Sequence, residues 1–253
     1  MSNFKEMMAR SALKKISRIV LALDLTIVDR EKLLRKAEEV LRAVSPHICA
    51  LKLNRQVTLP LGLYEGTKVL VDLAHELRLP AIMDCKVNDV GHTNRAIVEH
   101  YFNAGFDAVI ASPFVGWLEG MQPVFEVARQ MGRGVILLVY MSHKGAEEGF
   151  NQDVIDPVKG IKRKQYEVFA EKAVAWKADG AVVGAPYPEK IREVHGILRD
   201  EVPIYAPGLV AQGGVVEEVL KAGASYLIIG RGIYASDDPV NAAERFKEAQ
   251  YTL

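Results

Sequence analysis

Cysteine is scarce in this chain: Cys49 and Cys85 are the two among 253 residues, and no CxxC spacing occurs. Both fall in apolar runs of strand length, so they are expected as small buried hydrophobes of a reducing compartment rather than as a disulfide or a thiolate metal site. Long apolar runs are missing too. Stretches such as VILLVYM are far too short to cross a bilayer. The opening MSNFKEMMARSALKKISRIVLALDL is basic and then apolar like a secretion signal, but Asp24 interrupts the run after a few residues. A cytoplasmic protein with no membrane partner is expected. Excess charge is absent as well: 32 basic residues stand against 32 acidic ones. No basic face stands out along the chain, so a nucleic-acid partner has no electrostatic footprint. There is no low-complexity stretch and no linker, which predicts a single domain over 1–253.

What the chain does contain is a regular alternation of short β-rich runs with helix-periodic segments, the signature of a parallel sheet built from βα units. Eight strands are predicted, at 18–25, 47–53, 80–87, 107–113, 134–141, 180–185, 203–209 and 226–231. Segments such as DREKLLRKAEEVLRAV repeat apolar residues at three- and four-residue spacing and are read as crossover helices. Eight such units in about 250 residues match an α/β fold of the (β/α)8 TIM barrel type, with the active site at the C-terminal strand ends. A doubly wound sheet is the rival, and it is disfavoured because no GxGxxG follows the first strand.

The stretch MDCKVNDVGHTN places Asp84, Lys86 and Asp89 within six positions of one another at a strand end. Alternate strand residues share a face, so Asp84 and Lys86 should point together and Cys85 away toward the helices. Buried charges need partners, which makes this a structural ion pair or a reaction site. A lysine held between carboxylates keeps its proton, which argues against a Schiff base and for proton donation to a carbanion. The other strand ends carry Asp24, Lys52, Ser112, Ser142 and Arg231, and a barrel would gather all of them at one mouth.

The seventh and eighth strands are followed by PGLVAQGG (207–214) and IGRGIY (229–234). Glycine-freed backbone N–H groups and the fork of Arg231 suit phosphate oxygens there, so Pro207 and Gly230 are grouped with the substrate-binding residues. The glycine-containing, polar connection 142–160 is expected to be a mobile lid. His47, His75, His100 and His195 show no metal-ligand spacing, and Trp117 and Trp176 are read as packing residues.

The ordered series LALDL, Asp84-Cys-Lys86-Val-Asn-Asp89 with Thr93-Asn94, MSHKGA, PGLVAQGG and GRGIY resembles the compact microbial type of orotidine 5′-phosphate decarboxylase from about Arg18 to Tyr234. That resemblance implies decarboxylation of orotidine 5′-monophosphate to uridine 5′-monophosphate without metal or cofactor, the last step of pyrimidine nucleotide synthesis. It implies that Lys86 protonates carbon 6, that Asp84 faces the substrate carboxylate, and that Lys52 and Asp89 complete a Lys-Asp-Lys-Asp chain. Asp24 and Lys52 would hold ribose hydroxyls, Ser142 the pyrimidine, and Gln212 and Arg231 the phosphate. Asp89 and Thr93 would reach the neighbouring subunit's site, which implies a homodimer with shared active sites. The chain departs from the pattern at Lys144, where proline is common, at Val210, where glycine is common, and in the continuation LKLNRQV after Lys52.

Two other readings stay open at this point. A magnesium-dependent sugar-phosphate lyase shares DxKxxD but carries glutamate where this chain has Lys52, and an ammonium there repels a divalent cation. A barrel that only binds a phosphorylated ligand would bury Asp84, Lys86 and Asp89 at a cost with no chemistry in return.

Overall fold

The computed structural model describes residues 4–156, 160–209 and 214–251. Ten strands are present among them: β1 (Ile19–Ala22), β2 (Ala50–Asn54), β3 (Ala81–Val87), β4 (Ala108–Ala111), β5 (Gly134–Tyr140), β6 (Asp153–Ile155), β7 (Lys162–Lys164), β8 (Gly180–Val183), β9 (Ile204–Pro207) and β10 (Tyr226–Ile229). Eight of them close into a parallel barrel in the order β1-β10-β9-β8-β5-β4-β3-β2, which removes the doubly wound alternative.

The local rules that built the expectation operate as stated. Helix Arg30–Val44 is capped by Asp29, whose carboxylate accepts from Lys32 N at 2.8 Å, and it buries Leu33, Ala37, Val40, Leu41 and Val44 along one stripe. At about 1.5–3 kcal/mol per large apolar side chain, such a stripe outweighs any intrinsic helix preference. Strand residues divide by parity. On β3, Met83 and Cys85 join the large core between barrel and helices, whereas Ile82 packs inside the barrel with Val20, Ala50, Ile110 and Ile136. Cys85 is therefore in the helix layer, as alternation requires.

The barrel interior is filled at its N-terminal end and open at its C-terminal end. Tyr205 and Tyr226 stack there with ring centroids 4.8 Å apart, and a Cβ on Gly180 would fall 2.4 Å from Tyr205. Helix Phe4–Lys15, which the sequence reading passes over, lies below and presses Phe4 and Met8 into the same cluster, both fully buried. Its fit is close: a Cβ on Gly134 would fall 2.6 Å from the Phe4 ring.

Where it is described, the connection after β5 is structured. It carries a helical turn, Ala146–Phe150, and then the β6–β7 hairpin, whose facing pair Asp153 and Lys164 forms an ion pair at 2.9 Å. Phe150 packs its ring against Tyr140 and Phe169. These extra strands are short and charged, which is why no apolar alternation announces them. Trp117 and Trp176 pack on each other at 5.2 Å between centroids, as expected of packing residues. Among the described residues no helix is long and apolar enough to cross a membrane.

Candidate active site

A cavity of about 560 Å3 opens at the C-terminal mouth of the barrel, and Asp24, Lys52, Asp84, Lys86, Ser142, Pro207, Gly230 and Arg231 all line it. These residues come from six of the barrel strands or the turns after them, so closure of the sheet brings together side chains up to about two hundred positions apart. Its size suits a ligand of nucleotide scale.

The charged residues form one connected group. Lys52 Nζ lies 2.9 Å from Asp84 Oδ2 and 3.5 Å from Asp24 Oδ1, and Lys86 Nζ lies 2.6 Å from Asp84 Oδ1. Each oxygen of Asp84 thus meets one ammonium. Lys52 and Asp84 are buried, at 3% and 8% exposure, while the Lys86 side chain keeps 27% and faces the cavity. Burial opposes the charge of Lys52, but Asp84 and Asp24 outweigh it and raise its pKa above the ordinary value. Burial likewise opposes the charge of Asp84, and Lys52 and Lys86 together overcome it and lower its pKa. Lys52 and Asp84 are each held in the charged form by the other, and the lysine sitting between two carboxylates is Lys52.

Lys86 owes its position to a local departure from strand geometry. Its φ is +49°, in the left-handed region, and the pairing of β3 with β4 shifts register between Met83 and Val87. A non-glycine residue there costs on the order of 1 kcal/mol, and such strain collects at functional sites. Past the bulge, Asp89 is exposed and turns its Oδ1 to Val90 N at 2.7 Å. The buried amide of Asn94 fixes this loop, accepting from Asp89 N at 3.0 Å and donating to Asp89 O at 2.5 Å. Neither Asp89 nor Thr93 lines the cavity of its own chain. Gln212 lies outside the described residues, as does Val210.

Among the lining residues not picked out from the sequence are Gln56 and Tyr234. Gln56 Nε2 donates to the main-chain carbonyl of Asp24 at 2.7 Å, and Tyr234 OH donates to the same oxygen at 3.1 Å. They brace the turn that carries Asp24 and thereby its carboxylate beside Lys52. Both sat inside noted motifs, Gln56 in the unusual LKLNRQV and Tyr234 in GRGIY, but nothing local ties either to Asp24. Gly208 is the glycine the mouth cannot replace. Its φ is +101°, and a Cβ would stand 2.9 Å from Ser142 Cβ and 3.0 Å from Pro186. Among the described residues no group of three or more metal-binding side chains occurs.

Comparison with known proteins decides between the open readings. Residues 17–246 match the model of the orotidine 5′-phosphate decarboxylase / HUMPS family. The chain belongs to that family. A relative from Methanococcoides burtonii, named orotidine 5′-phosphate decarboxylase, is 37% identical over 92% of this chain and 97% of its own. The crystal structure of orotidine 5′-phosphate decarboxylase from Pyrococcus horikoshii superposes with a TM-score of 0.74 at 31% identity, covering 93% of this chain and 100% of that one. The Methanocaldococcus jannaschii enzyme, complexed with inhibitor BMP, gives a TM-score of 0.75 at 28% identity over 93% of this chain and 99% of its own. All three carry the decarboxylase name. Seen within the family, helix Phe4–Lys15 precedes the matched residues, while every charged residue of the mouth lies inside them.

Proposed function

We infer that this chain decarboxylates orotidine 5′-monophosphate to uridine 5′-monophosphate. The observation that carries the reading is the ion-paired Lys52–Asp84–Lys86 group at the barrel mouth of a decarboxylase-family chain. Loss of carbon dioxide leaves an electron pair on carbon 6 of the pyrimidine. An ammonium beside that carbon stabilises the developing charge and then supplies the proton, and Lys86, the partly exposed one, is the donor. Lys52, buried between Asp24 and Asp84, holds the network and a ribose hydroxyl rather than the reacting carbon. Asp84 stands where the substrate carboxylate would lie, and its fixed negative charge favours departure of that group. Ser142 takes the pyrimidine, while Arg231 and the turns at Pro207 and Gly230, with Gln212, take the phosphate.

The exposed Asp89 and the half-exposed Thr93 support a homodimer in which each serves the partner's mouth, because neither reaches its own. The segment after β5 serves as a lid: its helical turn and hairpin follow directly on Ser142, so contacts to the ligand and closure are coupled through one stretch of chain.

The test is the loss of orotidine monophosphate absorbance with purified protein after exhaustive chelation. Conversion to uridine monophosphate supports the reading. Inactivity there, with magnesium-dependent turnover of a pentulose or hexulose phosphate, would replace it with the lyase. For the phosphate role, Arg231→Ala should weaken binding of uridine monophosphate by ~10-fold or more while leaving uridine unchanged.

A further inference from the structure

The opposite end of the barrel holds a second cavity, of about 400 Å3, between helix Phe4–Lys15 and the turn that leads into β3. Its walls follow from helical spacing. Met7, Arg10, Ser11 and Lys14 stand at i, i+3, i+4 and i+7, one face of the helix, beside the stripe that plugs the barrel. The facing wall is His75, Arg78, Leu79 and Pro80. The two walls are tied by Lys15 Nζ, which donates to Leu77 O at 3.1 Å.

The charge here is one-sided. Asp107 is the acidic residue lining the cavity, and its oxygens are already engaged: Oδ1 by Arg133 at 2.5 Å, Oδ2 by His75 Nε2 and Ala81 N, each at 2.8 Å. Among the described residues, Arg10, Lys14 and Arg78 have no carboxylate within ion-pair distance. Arg10 and Lys14 repel each other across one helical turn. Arg78 also occupies a left-handed position, φ +62°, where glycine would close the preceding helix at lower cost. The field of the cluster is felt nearby, where burial and then Lys14, Arg78 and Lys247 lower the pKa of Lys15. Three unneutralised cations over a floor of Met7, Leu79 and Pro80 match a ligand with several phosphate charges and an apolar body.

We propose that this basal cavity binds a polyphosphorylated small molecule of the nucleoside di- or triphosphate class, at a site separate from the barrel mouth and built in part by the helix that precedes the family-matched residues. Arg10 and Arg78 grip the phosphates as forks and Lys14 adds a third charge. The site is independent of the reaction assigned to the mouth.

The experiment titrates inorganic pyrophosphate and uridine triphosphate by calorimetry, at physiological ionic strength, into the Arg231→Ala protein, whose mouth has lost its phosphate fork. Binding should persist there and weaken ~10-fold or more when Arg10→Ala and Arg78→Gly are added. Arg78→Gly relieves the left-handed strain, so the variant should fold; with Arg231 intact, the Arg10/Arg78 variant should keep wild-type turnover. Affinity indifferent to Arg10 and Arg78, loss of binding on Arg231→Ala alone, or no binding at millimolar concentration would each overturn the proposal.

Discussion

The two ends of this barrel use cations in opposite ways. At the mouth, Lys52 is buried between Asp24 and Asp84, and Lys86 pairs with Asp84 while keeping its partly exposed ammonium toward the cavity. At the base, Arg10, Lys14 and Arg78 stay exposed and unneutralised over an interior packed solid by Phe4, Met8, Tyr205 and Tyr226. Burial is the deciding variable. A buried ammonium must carry its counter-charge with it, which makes a rigid, preorganised site, whereas an exposed one can leave its counter-charge to a ligand.

The sharpest way to break the comparison is Lys86→Ala. Turnover of orotidine monophosphate should fall by ~1,000-fold or more while uridine monophosphate still binds. Near wild-type turnover would remove the donor role. Next in size is Asp84→Ala, which strands two ammoniums around one buried site. Unfolding in denaturant should show a loss of ~3–5 kcal/mol, against ~0.5 kcal/mol or less for Arg10→Ala at the base. Phe4→Ala should cost about 3 kcal/mol by the same measurement, since it empties a packed plug at the base.

The smallest expected effect is a pH dependence. The folded pKa of Asp84 is lowered, so its stabilisation is present above the ordinary 3.8 and is lost as pH falls through the folded value. That of Lys52 is raised, so its contribution is present below 10.5 and is lost as pH rises through the higher folded value. The difference in stability between wild type and Asp84→Ala should therefore stay constant from about pH 5 to 9 and shrink in acid below about pH 4. A slope near neutrality would mean that the Lys52–Asp84 pair changes its charge there.

Much of this was legible in advance. The barrel strands fall inside the predicted runs, save that β2 runs one residue past its predicted end to Asn54, because parallel strands buried on both faces need continuous apolar sequence. Asp24, Lys52, Asp84, Lys86, Ser142 and Arg231 were found because strand ends are locatable and converge in a barrel. The structure corrects finer points. The long connection runs through the hairpin to Lys164, beyond the expected 160, and is folded where it is described. Helix Phe4–Lys15 escaped notice because its polar faces hide a stripe of only a few buried residues.

By itself, then, the sequence determined the repeat of βα units, the strand ends and the kinds of side chain at the mouth, all consequences of local periodicity. Only the tertiary structure decided the pairings. Lys52 lies between Asp24 and Asp84, Gln56 and Tyr234 meet on the carbonyl of Asp24, and Arg78 comes beside Arg10 and Lys14. Such contacts join residues separated by tens to hundreds of positions and depend on barrel register, the bulge at Lys86 and the seating of one helix. Local patterns carry no record of those terms.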